Sequence, residues 1–263
     1  ETAHPEQWEK FESRIERNTD RILSLLDEHH LTATFFCLGW IAEKYPALIK
    51  KVSARHEVAC HSMNHQLLYL QSQEQFKTDL RKSIDVLENV SGKKVTAYRA
   101  PGFSLQREHG YVLEELNRVG VTIDCSVFPA QRNHGGIAGF PEQRPCVLTG
   151  SNFSVIEFPI NTRSFLNRQI VFSGGGYFRL LPYPLIRKWM NESEYVMTYF
   201  HPRDFDPGQP RLDKLPMKRK FMSYTGLNSS LQKFRQLLSD FEFVSLGRAC
   251  EILDKESLPV VKL

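Results

Sequence analysis

Long apolar runs are missing from this 263-residue chain: none approaches the length of a membrane span, and no basic-then-apolar leader opens it. Clustered cysteines are missing too. The five present, Cys37, Cys60, Cys125, Cys146 and Cys250, are scattered with no CxxC spacing. Such a set argues against a disulfide framework and for a reducing, cytoplasmic compartment. Three of them fall in apolar strand-like runs, where cysteine acts as a small hydrophobe. Neither sign of charge dominates, since the formal net charge is only +4. The basic run Lys218-Arg219-Lys220 lies near Arg203, Arg211 and Lys214, but Asp204, Asp206 and Asp213 are interspersed. This mixture reads as a solvated loop that could attract an anionic polymer, and no nucleic-acid partner is expected. The chain has no internal repeat and no initiating methionine. It begins Glu1-Thr2-Ala3-His4-Pro5, so the natural N-terminus is expected to lie elsewhere.

What is present is a globular composition, with 41% hydrophobic and 24% charged residues, enough for one large domain. Helical and strand patterns alternate along it. Ser13-Arg14-Ile15-Glu16 reads as a capping box ahead of Ile15, Ile22, Leu25 and Leu26 at helical spacing. The run Ala33–Leu38 suits a strand buried on both faces. A helix restarted at Pro46 leads to a strand ending at Cys60. Ser72-Gln73-Glu74-Gln75 caps a helix carrying Phe76, Leu80, Ile84 and Leu87, with Gly92 past its end. Strand Val95–Tyr98, helix Arg107–Val119 and strand Val121–Ile123 continue the rhythm. Beyond Pro129 come an irregular stretch, strand Ser154–Phe158, the glycine-rich Phe172–Phe178, a short helix around Leu185–Met190 and strand Tyr195–Phe200. A helix with Leu231, Phe234, Leu237 and Leu238, a strand near Phe243 and a last helix close the chain. Such alternation implies a parallel sheet, either a barrel or doubly wound.

Four of the expected strands end on a titratable residue: His61, Arg99, Asp124 and His201. Recurrence at the C-terminal ends of successive parallel strands favours a (β/α) barrel, because a doubly wound sheet concentrates its chemistry at one switch point. His61 and His65 stand four apart where an apolar run stops, and neutral imidazoles there can share a metal ion. Among nine histidines, one given spacing arises by chance roughly 0.3 times per such chain, so the pair gains its weight from context.

That context resembles the polysaccharide deacetylases with a NodB homology domain, of the carbohydrate esterase type. Thr34-Phe35-Phe36, His61-Ser62-x-x-His65, Arg99-Ala100-Pro101-Gly102 and Phe200-His201-Pro202 fall in that family's order. Asp124–Pro129, Phe172–Leu181 and His201–Pro207 are similar to a bacterial subgroup associated with exopolysaccharide synthesis. The resemblance covers nearly the whole chain. It implies a distorted (β/α) barrel, lacking its first strand here, as a single domain over residues 1–263. It also implies metal-dependent removal of acetyl groups from N-acetylated sugars of a polysaccharide or oligosaccharide.

On matching positions His61 and His65 become metal ligands, with zinc the default and cobalt, nickel or manganese the alternatives. Ser62 would brace their loop. Arg99 matches the arginine that holds the catalytic carboxylate, as a guanidinium fork can. His201 matches the general acid that protonates the departing amine. Ordinary structural roles for these histidines, and a structural ion pair for Arg99, are the competing readings. Asp124 either orients His201, lines the pocket or caps a loop. Pro101 and Gly102 shape a turn whose backbone N–H could hold an oxyanion, although the family often has tyrosine at the position of Gly102. Phe103, Phe128 and Tyr177 are candidate sugar-stacking faces, with core packing the commoner fate of an aromatic.

One departure is serious. The family's acidic pair, which supplies a metal carboxylate and the catalytic base, should precede the first helix, and only about a dozen residues do so here. Asp20 and Asp27 lie within the helix pattern and cannot serve. An N-terminal segment carrying the pair is therefore expected upstream of Glu1. A non-catalytic carbohydrate-binding or scaffold protein on the same fold is the alternative, and a nucleic-acid binder using the basic loop ranks last.

Overall fold

A computed structural model describes residues 8, 11–130, 135–165, 168–212 and 215–263, without the side chains of residues 165, 168 and 218. The opening residues 1–5, and Asp213, Lys214 and the Lys218 side chain of the basic loop, lie outside the described residues. Contacts divide the chain into two compact units. One comprises Thr32–Ile160 with Val244–Leu263, the other Glu1–Leu31 with Asn161–Phe243.

The Thr32–Ile160 unit is built on a seven-stranded sheet. Strands β1 (Thr34–Cys37), β2 (Glu57–Cys60), β3 (Ala97–Tyr98), β4 (Ile123–Asp124) and β6 (Ser154–Glu157) run parallel in that lateral order. Strand β5 (Cys146–Thr149) then pairs antiparallel with β6, and β9 (Val260–Lys262) pairs parallel with β5. Helices α2 (Gly39–Lys44), α3 (Pro46–Ser53), α4 (Gln73–Ser91) and α5 (Gly110–Arg118) fill the crossovers, and α10 (Leu246–Ile252) precedes the last strand.

The sequence rules account for most of these boundaries. Pro46 opens α3, where its missing N–H costs nothing. In α4 the Ser72 hydroxyl accepts the Gln75 N–H while the Gln75 side chain accepts the Ser72 N–H, and the chain leaves the helix through left-handed Gly92. Phe76, Leu80, Ile84 and Leu87 are all buried, as their spacing requires. Each contributes roughly 1.5–3 kcal/mol by leaving water.

Three expectations are corrected. Strand β1 is half-buried throughout rather than buried on both faces, because it stands at the end of the strand order with one neighbour. The expected strand over 195–200 is reduced to a single bridge between Tyr199 and Gly174, and 241–245 forms no strand. Strands β5 and β9 were not foreseen.

The second unit is mainly helical: α1 (Ile15–Glu28), α6 (Gly175–Leu180), α7 (Tyr183–Asn191), α8 (Met217–Tyr224) and α9 (Leu227–Asp240), with a hairpin of β7 (Arg163–Phe165) and β8 (Arg168–Ile170). The N-cap of α1 is Arg14 rather than Ser13. Phe178, Phe200, Phe205 and Phe234 form a ring cluster with centroids 4.7–5.4 Å apart. Its loop at 202–206 is tied to α1 through buried Asp206. That carboxylate takes Arg14 Nε at 2.6 Å and Nη2 at 2.8 Å, Asn18 Nδ2 at 2.8 Å and the Gly208 N–H at 3.1 Å. The Arg14 fork, then Asn18 and Gly208, hold the Asp206 carboxyl well below the usual carboxylate range against the opposing effect of burial. Among the described residues no helix is long and apolar enough to cross a membrane.

Leu80→Ala is expected to destabilise the protein by about 2–5 kcal/mol, read as a lower urea midpoint with an unchanged slope. Asp206 stabilises the folded state fully above the unfolded carboxylate value near pH 4, and this is lost as pH falls towards its depressed folded value. Asp206→Asn should therefore show a flatter loss of stability than wild type between about pH 5 and pH 2; parallel profiles would refute the anchor.

Candidate active site

The segment leaving β2 carries His61 to His65 and is fixed almost atom by atom. The His61 N–H donates to Cys37 O at 2.9 Å, extending the parallel ladder by one bond. The first amides of α2, Gly39 and Trp40, donate to the carbonyls of Ser62 and Met63 at 3.0 Å each. From α4, Asp79 Oδ2 accepts the Met63 N–H at 2.8 Å. Burial pushes the Asp79 carboxyl up, against the Met63 and Asn64 amides that favour its charge. Ser62 Oγ accepts the His65 N–H at 2.9 Å, so Ser62 does brace the loop. Gly39 is required by close approach: a Cβ there would stand 2.4 Å from Met63 Sδ. Ser62 and His65 both adopt positive φ, 68° and 57°, which costs non-glycine residues about 1–3 kcal/mol each and persists only where the surroundings impose it.

Within this loop the two imidazoles meet edge to face, centroids 5.1 Å apart. His61 Nδ1 lies 2.6 Å from Arg99 O. A carbonyl can only accept, so Nδ1 carries the proton and Nε2 keeps its lone pair, the arrangement in which a second partner orients a metal-binding histidine. The pair thus fits as two imidazole donors. Among the described residues no group of three or more His, Cys, Asp and Glu is placed to hold a metal, so a third ligand is not supplied there.

Arg99 leaves β3 with its guanidinium buried, 4.1 Å over the Phe36 ring and 5.4 Å from that of Phe103, and its Nε–H donates to Cys125 O at 3.3 Å. Beside it, Asp124 at the end of β4 is register-paired with Glu157 at the end of β6, and both are fully buried. Asp124 Oδ1 accepts from Ser126 Oγ at 2.5 Å, and Ser126 Oγ accepts the Ala100 N–H at 2.8 Å. Glu157 Oε1 accepts the Val127 N–H at 3.0 Å. Burial, then the Asp124 charge and the hydrogen bond with Asp124, push the Glu157 carboxyl well above its ordinary range. Burial raises Asp124 too, opposed by bonds from Glu157, Ser126 and two backbone amides. Both carboxyls are thus pushed up, Glu157 the further. Sequence reasoning missed Glu157, although it ends a strand as Asp124 does and the same rule would have found it.

The loops hung from this pair hold the other expected residues. Pro101, Gly102 and Phe103 form a 3-10 turn with Gly102 at φ 63°, and the N–H groups of Phe103 and Ser104 donate to Ala100 O and Pro101 O. A Cβ at Gly102 would stand 2.9 Å from Leu67 Cδ2, so both backbone and space disfavour the family's tyrosine here. Phe103 and Phe128 are each only 6% exposed and pack together with centroids 6.0 Å apart. The structure uses them as packing rings rather than as open stacking faces, because almost no ring surface remains for a sugar.

His201 and Tyr177 belong to the other unit. Tyr177 is 37% exposed on α6. The His201 side chain is also largely exposed, and its partner is one turn away: Asp204 Oδ2 accepts the His201 backbone N–H at 2.8 Å and lies 3.3 Å from Nδ1. Asp204 is buried, and its Oδ1 lies 3.3 Å from Arg179 Nε. The Arg179 terminal nitrogens donate to the carbonyls of Met222, Ser223 and Thr225 at the end of α8. Burial acts to raise the Asp204 carboxyl, but the His201 bonds and Arg179 hold it below its usual value. Asp204 was read from sequence only as a loop charge; its place three residues after His201, with proline between, was the available signal. Asp124 engages Ser126 and Glu157 within its own unit.

Comparison with known proteins agrees with this geometry. The family described as polysaccharide deacetylase matches residues 8–122, and a domain of unknown function, DUF3473, matches residues 125–251. A peptidoglycan-N-acetylmuramic acid deacetylase of Bacillus subtilis is 31% identical over 103 residues, 39% of this chain and 38% of that protein. A peptidoglycan deacetylase of Helicobacter pylori is 34% identical over 82 residues, 31% of this chain and 28% of its own length. The chain thus spans under two-fifths of these relatives. Among solved structures, a protein from Mycobacterium smegmatis provisionally assigned as a polysaccharide deacetylase aligns over 94% of this chain and 80% of its own, with TM-score 0.62 and 20% identity. A CE4 family pseudoenzyme from Bacillus anthracis aligns over 89% of this chain and 60% of its own, with TM-score 0.51 and 14% identity. Likeness at these identities establishes the fold, an α/β architecture of the barrel type. Residues 8–122, with the ordered motifs His61-Ser62-x-x-His65 and Arg99-Ala100-Pro101-Gly102, match the polysaccharide deacetylase family.

Proposed function

We propose that the protein is a metal-dependent hydrolase that removes acetyl groups from N-acetylated sugars of a polysaccharide, an exopolysaccharide by its subgroup resemblance. The observation that carries this is the His61–His65 pair at the end of β2, its rings edge to face 5.1 Å apart and His61 Nδ1 2.6 Å from Arg99 O. The names of the relatives, peptidoglycan deacetylases, support the same class of substrate bond.

When bound to the two imidazoles, a divalent cation, zinc by default and cobalt, nickel or manganese otherwise, would supply Lewis-acid polarisation of the acetyl carbonyl and a water of lowered pKa. The remaining work falls to this chain's own groups. Arg99, wedged between Phe36 and Phe103, offers a fixed guanidinium to hold a carboxylate ionised. His201 donates a proton to the leaving nitrogen, which amide hydrolysis near neutral pH requires. Asp204 sets the ring orientation of His201 through Nδ1, and Arg179 fixes Asp204. The Asp124–Glu157 pair shapes the turns at Ala100 and Val127.

A second reading, a carbohydrate-binding protein without catalysis, is favoured by one observation: among the described residues no third donor joins His61 and His65.

Acetate release from N-acetylglucosamine oligomers by the full-length natural protein separates the two. The hydrolase reading expects release that chelator abolishes and zinc restores, lost in His61→Ala, and reduced about 10²–10⁴-fold in His201→Ala. No release with any divalent metal, on N- or O-acetylated sugars, selects the binding protein. Asp204→Asn should lower kcat roughly tenfold with KM little changed, because it disturbs a proton donor rather than substrate contact. A change confined to KM would remove Asp204 from that role.

A further inference from the structure

Three residues beyond His65 the chain makes a 3-10 turn, Leu68–Leu70, that is held on every side. Leu68 is fully buried, and its N–H donates to Ser104 Oγ at 3.0 Å. The N–H groups of Leu70 and Gln71 donate to Leu67 O and Leu68 O. Gln66 Nε2 reaches forward to Leu70 O at 3.1 Å, and Gln71 Nε2 reaches back to Gln66 O at 3.0 Å. On this closed turn Tyr69 is 41% exposed and Leu70 is 59% exposed. A single exposed apolar side chain is ordinary. Two adjacent large ones displayed on a rigid turn, four and five residues from a candidate metal ligand, form a patch continuous in sequence with the candidate site.

The chemistry of the turn selects its occupant. Residues 66–71 read Gln-Leu-Leu-Tyr-Leu-Gln, with no charge to attract a phosphate or a carboxylate. A pyranose ring is uncharged, with an apolar C–H face and a rim of hydroxyls. A tyrosine ring offers a flat face with a polar tip and few rotamers to freeze, and a glutamine amide alongside can bond a hydroxyl.

We propose that Tyr69, assisted by Leu70 and Gln66, is a platform that stacks a pyranose ring of the glycan, one sugar removed from the unit that bears the acetyl group. The assignment rests on the saccharide substrate proposed above. Tyr69 is also far more exposed than the buried rings of Phe103 and Phe128.

The test is binding of an N-acetylglucosamine tetramer and monomer to the full-length protein by calorimetry. Wild type is compared with Tyr69→Ala, Tyr69→Phe and the remote surface control Ile252→Ala, each checked for an unchanged melting temperature. Tyr69→Ala should weaken the tetramer about tenfold while leaving the monomer unaffected. Tyr69→Phe, which keeps the ring, should stay within about twofold of wild type, and Ile252→Ala should match it. The platform is overturned if Tyr69→Ala binds the tetramer as wild type does, if Tyr69→Phe loses as much as Tyr69→Ala, or if wild type does not bind the tetramer. Tetramer binding that depends on Tyr69 without acetate release would refute the hydrolase and leave the platform standing. Acetate release indifferent to Tyr69, with unchanged binding, would do the reverse.

Discussion

Two carboxyl groups on neighbouring strands, Asp124 and Glu157, are paired in register where no water reaches either. Like charges in such a place cannot both persist, so one group keeps its proton, and the two loops that leave β3 and β4 are built on the result. Ser126 bridges Asp124 to the Ala100 N–H, and Glu157 takes the Val127 N–H directly. The outer oxygens, Asp124 Oδ2 and Glu157 Oε2, are buried without a hydrogen-bond partner among the described residues. Arg99 adds a fixed positive charge that acts to draw the Glu157 carboxyl back down. Without the pair, Val127 would leave a buried amide unsatisfied, at about 1–3 kcal/mol, and Ser126 would lose the acceptor that orients it beside the Ala100 N–H. The turn that presents Pro101 and Gly102, and the Arg99 carbonyl that orients His61, would lose their template together.

The histidine loop solves a different problem with the same means. Its backbone visits the left-handed region at Ser62 and His65, and nothing in the side chains favours that. The cost is offset by bonds from three directions: the end of β1 through Cys37, the first turn of α2, and Asp79 of α4. A conformation so over-determined places both imidazoles before any ligand arrives. Preorganisation of this kind spares a binding site the entropy of assembling itself.

Legibility from sequence followed locality. Helix α4 could be read outright, because its cap, its apolar spacing and its terminal glycine all lie within twenty residues of one another. The ends of β2, β3 and β4 were legible for a related reason: an apolar run stopping on a titratable residue is a local pattern. What failed was non-local. Strand β5 lies between β6, to which it is antiparallel, and β9, to which it is parallel, and only its partners identify it as a strand. The stretch 195–200 has strand composition but makes one bridge, at Tyr199, so composition overstated it. Phe103 and Phe128 could not be assigned to packing until their mutual contact was seen. Asp204 and Arg179 are 25 residues apart, and nothing in either segment announces the other.

That last pair bears on what His201 is for. Arg179 and Asp204 are both buried, and burying an ion pair gains little over apolar packing once desolvation is counted. A cap for the short 202–205 turn does not need a buried charge, since a neutral serine or asparagine accepts the same backbone N–H. The Asp204 carboxylate has one further neighbour besides Arg179. His201 is that neighbour: its ring is largely exposed, its Nδ1 lies 3.3 Å from Asp204 Oδ2, and Nε2 is directed away from that contact by the geometry of the ring. Behind Asp204 stands Arg179, itself fixed by the carbonyls of Met222 and Ser223 in α8 and of Thr225 just past its end. The arrangement holds the imidazole in one orientation, with Nδ1 against a carboxylate that is itself fixed from behind.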